Sequence, residues 1–157
     1  MQVQCAATSQ QGAQSSHETM AKLMAMYGNK VAQAIADIGE FEEVAIIKHR
    51  ASNRWIMILP DLSGEGRWRL QHFDLGGFMG HEVFASKSEA IREAANSIRY
   101  PVRDDGALDR IQDTPDFLIG NFRTEQRHNL NRGCIDYQEF KRRVAEYSRS
   151  LQAPVMH

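Results

Sequence analysis

Residues 44–85 read VAIIKH RASN RWIMIL PDLSGEG RWRLQHF DLGGFMG HEVFA, and the alternation of apolar runs with turn-forming clusters in this stretch decides the fold class. Val44–His49 and Arg54–Leu59 are apolar runs rich in β-branched and aromatic residues, joined by the polar turn Arg50-Ala51-Ser52-Asn53, which is the signature of a hairpin. Pro60 to Gly66 carries loop chemistry. Arg67–Phe73 then alternates: Arg67, Arg69, Gln71 and Phe73 fall on one side of a strand, with Trp68, Leu70, His72 and Asp74 on the other. The glycine-rich turn Leu75–Gly80 leads into a fourth short run, about His81–Ala85. Strands linked this closely pair antiparallel, because a parallel crossover needs a dozen or more residues.

Helical patterns flank the strands. Ser15 and Glu18 have capping-box spacing. After them Met20, Leu23, Met24, Tyr27, Val31, Ile35 and Ile38 recur at intervals of three and four, which predicts a helix over 16–38 whose Met-rich stripe faces the core. Gly28 within it costs about 1 kcal/mol relative to alanine, and Gly39 is placed to end it. Downstream, Ser86 and Glu89 repeat the capping-box spacing, Ile91, Ala94, Ala95 and Ile98 form an apolar face, and Tyr100-Pro101 ends that helix. Residues 102–113 read as loop with at most a short turn. Thr114-Pro115-Asp116 starts another helix that runs to about Leu130, and Tyr137 to about Leu151 is the last. The expected fold is therefore α+β: an N-terminal helix, a three- to four-stranded antiparallel sheet, then three helices packed mainly on one face and ending in a helical hairpin. The expected division is a flexible polar tail over 1–15, a single domain over 16–151 and a flexible C-terminus over 152–157.

The chain has 157 residues, 42% of them hydrophobic and 25% charged, a size and balance that can bury one core. A net charge of −1 argues against a strongly basic nucleic-acid coat. Cys5 and Cys134 cannot build a disulfide framework. Residues 1–17 lack the basic start and apolar stretch of a signal peptide, and the run Ile56–Leu59 is far too short to cross a membrane. The cytoplasm is the expected compartment, and no membrane partner is expected.

Four groups of residues invite a chemical reading. His72 and Asp74 share a strand face, and the glycine turn can return His81 towards them, a His-x-Asp…His set suited to a metal-dependent hydrolase. The competing reading, in which Asp74 caps the turn, is the stronger, so no metal and no cofactor are expected. Gly76-Gly77-x-x-Gly80 precedes a strand rather than a helix and lacks Gly-Lys-Ser/Thr, so it reads as a hairpin turn and not a phosphate cradle. Asn131–Phe140 resembles the second half of an EF-hand loop, with Gly133, Ile135, Asp136 and Glu139 at the family's positions. His128, Leu130 and Arg132 stand where the first three oxygen ligands belong, which leaves a helix–loop–helix capped by Asp136 and no calcium site. The C-terminal hairpin carries Arg123, Arg127, Arg132, Lys141, Arg142, Arg143 and Arg149, the basis of a second reading as a nucleic-acid-binding regulator. Glu125, Glu139 and Glu146 interleave with these cations and dilute the field that phosphate contact needs.

With no tight cluster of reactive side chains, the surface is the expected working part. If Trp68 and Leu70 face the helices, Arg67 and Arg69, with Lys48, Arg50 and Arg54 nearby, form a basic patch on an open sheet face. The expected partner-binding residues are Arg54, Arg67, Arg69, Arg142 and Arg149. The segments Trp68-Arg69-Leu70-Gln71-x-Phe73-Asp74, Gly77-Phe78-x-Gly80-His81 and Phe84-x-Ser86-x-x-Glu89-Ala90 resemble a pattern in small accessory proteins of bacterial plasmids and phages. That resemblance implies a strand–turn–strand–helix unit. It also implies a non-catalytic protein-binding inhibitor of the anti-restriction or anti-CRISPR type, with a host defence complex, itself a nucleoprotein, as its partner.

Overall fold

A computed structural model describes the backbone from Thr8 to Gln152 and the side chains from Glu18 onward. The elements are α1 (Thr8–Ile38), β1 (Ala45–His49), β2 (Arg54–Pro60), β3 (Trp68–Asp74), β4 (Gly77–Phe84), α2 (Lys87–Ser97), β5 (Pro101–Arg103), α3 (Ala107–Ile111), α4 (Pro115–Asn131) and α5 (Tyr137–Gln152). The fold is α+β, and the helical hairpin α4–α5 closes it. The backbone is already helical at Thr8, so Ser15 lies inside α1 rather than at its N-cap. The rest of the expected tail and residues 153–157 of the expected C-terminus fall outside the described residues.

The strands form one antiparallel sheet of order β4-β3-β2-β1-β5. The meander is the expected one, with Lys48 opposite Trp55 beside the first turn and Asp74 opposite Gly77 beside the last. The addition is β5, which pairs with β1 through His49↔Pro101 and Ile47↔Arg103. Proline begins it, as an edge strand allows. Because β4 and β5 are the two edges, the connection carrying α2 crosses the whole sheet.

Register assigns each residue to a face. Ala45, Ile47, Ile56, Ile58 and Leu70 share one face and pack with Ala34 and Ile38 of α1 and Ala90, Ala94 and Ala95 of α2. The alanines of α2 keep that helix close to both neighbours. Ile46, Trp55, Met57 and Phe73 lie on the other face and pack with Leu108 of α3 and Phe117 of α4. This corrects the expectation of helices mainly on one face: the sheet is covered from both sides, and β1 and β2 are apolar at successive positions for that reason. The Trp55 indole, 2% exposed, donates 3.0 Å to Asp104 Oδ1, while Asp104 Oδ2 accepts 3.1 Å from the Leu108 amide and so holds α3 in place.

The hairpins carry the caps read from the sequence. Ser86 accepts 3.2 Å from the Glu89 amide at the start of α2. Asp74 Oδ1 accepts 2.7 Å from the Gly76 amide, and α4 lies directly on this turn. Asn121 Oδ1 accepts 2.6 Å from the Phe78 amide, and a Cβ built on Gly120 would sit 1.4 Å from the Gly76 carbonyl oxygen. At the other end of α4, Gly133 takes a left-handed φ of 72° and its amide donates to Leu130, while the Cys134 amide reaches Asn129. These bonds make a Schellman close, and Asp136 then caps α5 through the Glu139 amide at 2.8 Å.

Candidate functional site

The stripe on α1 has two fates along its length. Ala34 and Ile38 are buried against α2 and the sheet, but every residue from Glu18 to Lys30 is exposed. Met20 is 60% exposed, Leu23 56%, Met24 66% and Tyr27 57%, although these side chains belong to the same helical stripe as the buried pair. The cause is length. Helix α1 has 31 residues and α2, which packs alongside it, has 11. The covering stops where Tyr27 Oη donates 3.0 Å to Asn96 Oδ1 near the end of α2. Upstream of that contact the α1 backbone continues for about 28 Å at 1.5 Å per residue, and the large apolar side chains Met20, Leu23 and Met24 face water there.

A pocket of about 280 Å³ opens where this free stretch meets the body, lined by residues that include Tyr27, Lys30, Asp37, Asn96, Arg99 and Tyr100. Its floor is apolar, from Val31, Ala34, Ile98 and Pro101. Tyr100 takes a φ of 53°, the one positive value at a non-glycine residue among the described residues, and is 65% exposed. Left-handed backbone at such a residue costs on the order of 1–3 kcal/mol, and here it turns the chain from α2 into β5 with the Tyr100 carbonyl accepting from the Arg50 amide. Asp37 accepts from Gln33 Nε2 at 2.9 Å. Lys30 and Arg99 have no ion-pair or hydrogen-bond partner among the described residues.

The residues singled out by sequence are distributed differently. Trp68 and Leu70 do face α1 and α2, and Arg69 does project to the other side, but its Nε is bound 2.9 Å from Asp61 Oδ2. Asp61 is buried, accepts 2.6 Å from the Ser63 amide, and is held far below the usual carboxylate range first by the Arg69 bond and then by Ser63. Lys48 sits over the Trp55 ring at 5.2 Å. Arg67 is exposed just before β3, and Arg54 is exposed at the rim of an open cleft of about 500 Å³ that also holds His72 and Glu82. These four cations therefore form no single row.

On α5, Arg142 bonds Glu139 and Glu146 at 2.7 Å each, and Arg143 bonds Glu139 and the buried Gln126. Arg142 and then Arg143 hold Glu139 down at about 2. The charge on this face is largely internal. Arg149 is exposed near the end of α5. His72 lies on the α2 side of the sheet, its Nε2 3.2 Å from Glu82 Oε1, whereas His81 lies on the opposite side against the Phe78 ring. With Asp74 engaged in its turn, the His72, Asp74 and His81 set does not converge. Among the described residues no three His, Cys, Asp or Glu side chains are placed to share a metal ion, and no helix is long and apolar enough to cross a membrane.

The sequence reading missed Met20, Leu23, Met24 and Tyr27 as surface residues because their periodicity is that of a core stripe. The available signal was the absence of any later helical pattern long enough to cover a helix of this length. Comparison with protein-family models, curated proteins and solved structures gave no match.

Proposed function

We propose that the protein is a non-catalytic protein-binding module that works in the cytoplasm through the free face of α1. The observation that carries the reading is the exposure of Met20, Leu23, Met24 and Tyr27 as one contiguous patch. Contiguous apolar patches left exposed on a soluble monomer are often functional. Methionine suits such a surface, since its flexible thioether adapts to the shape of a partner. An amphipathic helix offering residues at i, i+3, i+4 and i+7 is also a common recognition mode. The resemblance of the Trp68–Ala90 region to accessory proteins of plasmids and phages supports a finer reading as an inhibitor of a host defence complex.

The test is affinity capture from cells that naturally make the protein, with Leu23→Glu plus Met24→Glu as the comparison. Both side chains are exposed, so the melting temperature is expected to stay within about 4 °C, consistent with surface substitutions within about ±0.5 kcal/mol each. The partner recovered by the wild type is expected to be absent from the variant. Equal recovery by both proteins removes α1 as the binding surface.

A further inference from the structure

We propose that the free stripe of α1 and the pocket beside it form one groove for an acidic amphipathic helix of the partner protein. The inference rests on the protein-binding reading above and names the chemistry of the occupant. Continuity provides the first argument. The stripe that α2 and the sheet cover from Val31 to Ile38 runs on uncovered through Tyr27, Met24, Leu23 and Met20, so a second helix laid along α1 begins where α2 ends. Such a helix meets the apolar row with its own apolar residues at helical spacing.

Charge is the second argument and selects the occupant. At the junction the pocket presents Lys30 and Arg99, both exposed and both unpaired among the described residues. The lining also holds one carboxylate, Asp37, which accepts from the neutral Gln33 amide and keeps its charge, so Lys30 and Arg99 against Asp37 leave the pocket a net charge of +1. Tyr27 and Tyr100 complete the polar rim, with the Tyr27 hydroxyl engaged by Asn96. A carboxylate on the incoming helix meets two free cations there, and a lysine or arginine meets repulsion. Partly desolvated pairing of this kind sets specificity and register.

The probe is a library of displayed helical peptides selected on the full chain and counter-selected on Met24→Glu. The enriched peptides are expected to combine apolar residues at i, i+3 or i+4, and i+7 with an excess of Asp and Glu. Lys30→Glu with Arg99→Glu is expected to weaken them at least about tenfold, which is about 1.4 kcal/mol, without lowering the melting temperature. Enrichment of neutral or basic peptides, indifference to the charge reversal, or no enrichment overturns the proposal. So does sedimentation as a dimer that Met24→Glu dissociates, which assigns the groove to a second copy. Natural-partner capture that Leu23→Glu plus Met24→Glu abolishes, but Lys30→Glu plus Arg99→Glu leaves intact, removes the acidic occupant while the protein-binding reading stands.

Discussion

Replacing Gly120 by alanine sets helix propensity against packing, and the structure decides which wins. In an isolated helix the change is favourable by about 1 kcal/mol. Here the new methyl carbon falls 1.4 Å from the Gly76 carbonyl oxygen and 2.5 Å from its carbon, both backbone atoms of a turn that α4 itself pins. Neither atom can swing aside as a flexible side chain can, so α4 must lift from the β3–β4 hairpin. Overpacking of this kind costs about 1–3 kcal/mol. Lifting also strains the 2.6 Å bond from the Phe78 amide to Asn121, which contributes about 1 kcal/mol. The expected net is a loss of about 2 kcal/mol. Gly28→Ala is the matched control: nothing lies within 4 Å of its Cβ position, so that variant is expected to gain about 1 kcal/mol. Denaturant unfolding followed by Trp55 and Trp68 fluorescence measures both. A Gly120→Ala protein as stable as the wild type, or more so, refutes the close docking of α4 on the turn.

Asp104→Ala is expected to cost about 1–3 kcal/mol, because it leaves the buried Trp55 indole N–H without its acceptor and frees the first turn of α3; the same unfolding curves report it. Asp61 predicts a specific acid limb. Its folded pKa lies below the unfolded value of about 4, so the pair with Arg69 stabilises fully above about pH 4 and progressively less as pH falls towards the folded value. Asp61→Asn is expected to lower stability at pH 7 and to flatten the fall below pH 4; a wild-type acid limb unchanged in the variant contradicts this.

Much of the fold was legible because local rules and tertiary packing agree. The turn after His49, the Asp74 cap, the Ser86 cap and the Gly133–Asp136 junction are each specified by a few neighbouring residues, and each forms as read. Where the reading differed, the deciding information was not local. Three residues, Pro101–Arg103, are too few to show alternation, and their strand character comes from β1 alongside. Burial on both faces was present in the consecutive apolar residues Ile46-Ile47 and Trp55-Ile56-Met57-Ile58, a two-sided pattern that a hairpin signal overshadowed.

The site was less legible for a related reason. A stripe such as Met20–Leu23–Met24–Tyr27 records which way side chains point along a helix and carries nothing about how far a neighbouring element extends to cover them. Conversely, the charges of Arg69 and Arg142 read as free in the sequence, yet Asp61, Glu139 and Glu146 occupy them once the chain is folded. Lys30 and Arg99 lie far apart in the sequence and line one pocket only because α2 runs back along α1.

The most direct measurement is site-specific photo-crosslinking in cells that naturally make the protein. One photoreactive residue replaces Met24, and a second replaces Leu62, which is 98% exposed in the β2–β3 loop. A discrete protein adduct from position 24 and none from position 62 is the predicted result. An adduct from position 62 with none from position 24 contradicts the claim that the free face of α1 is where this protein meets its partner.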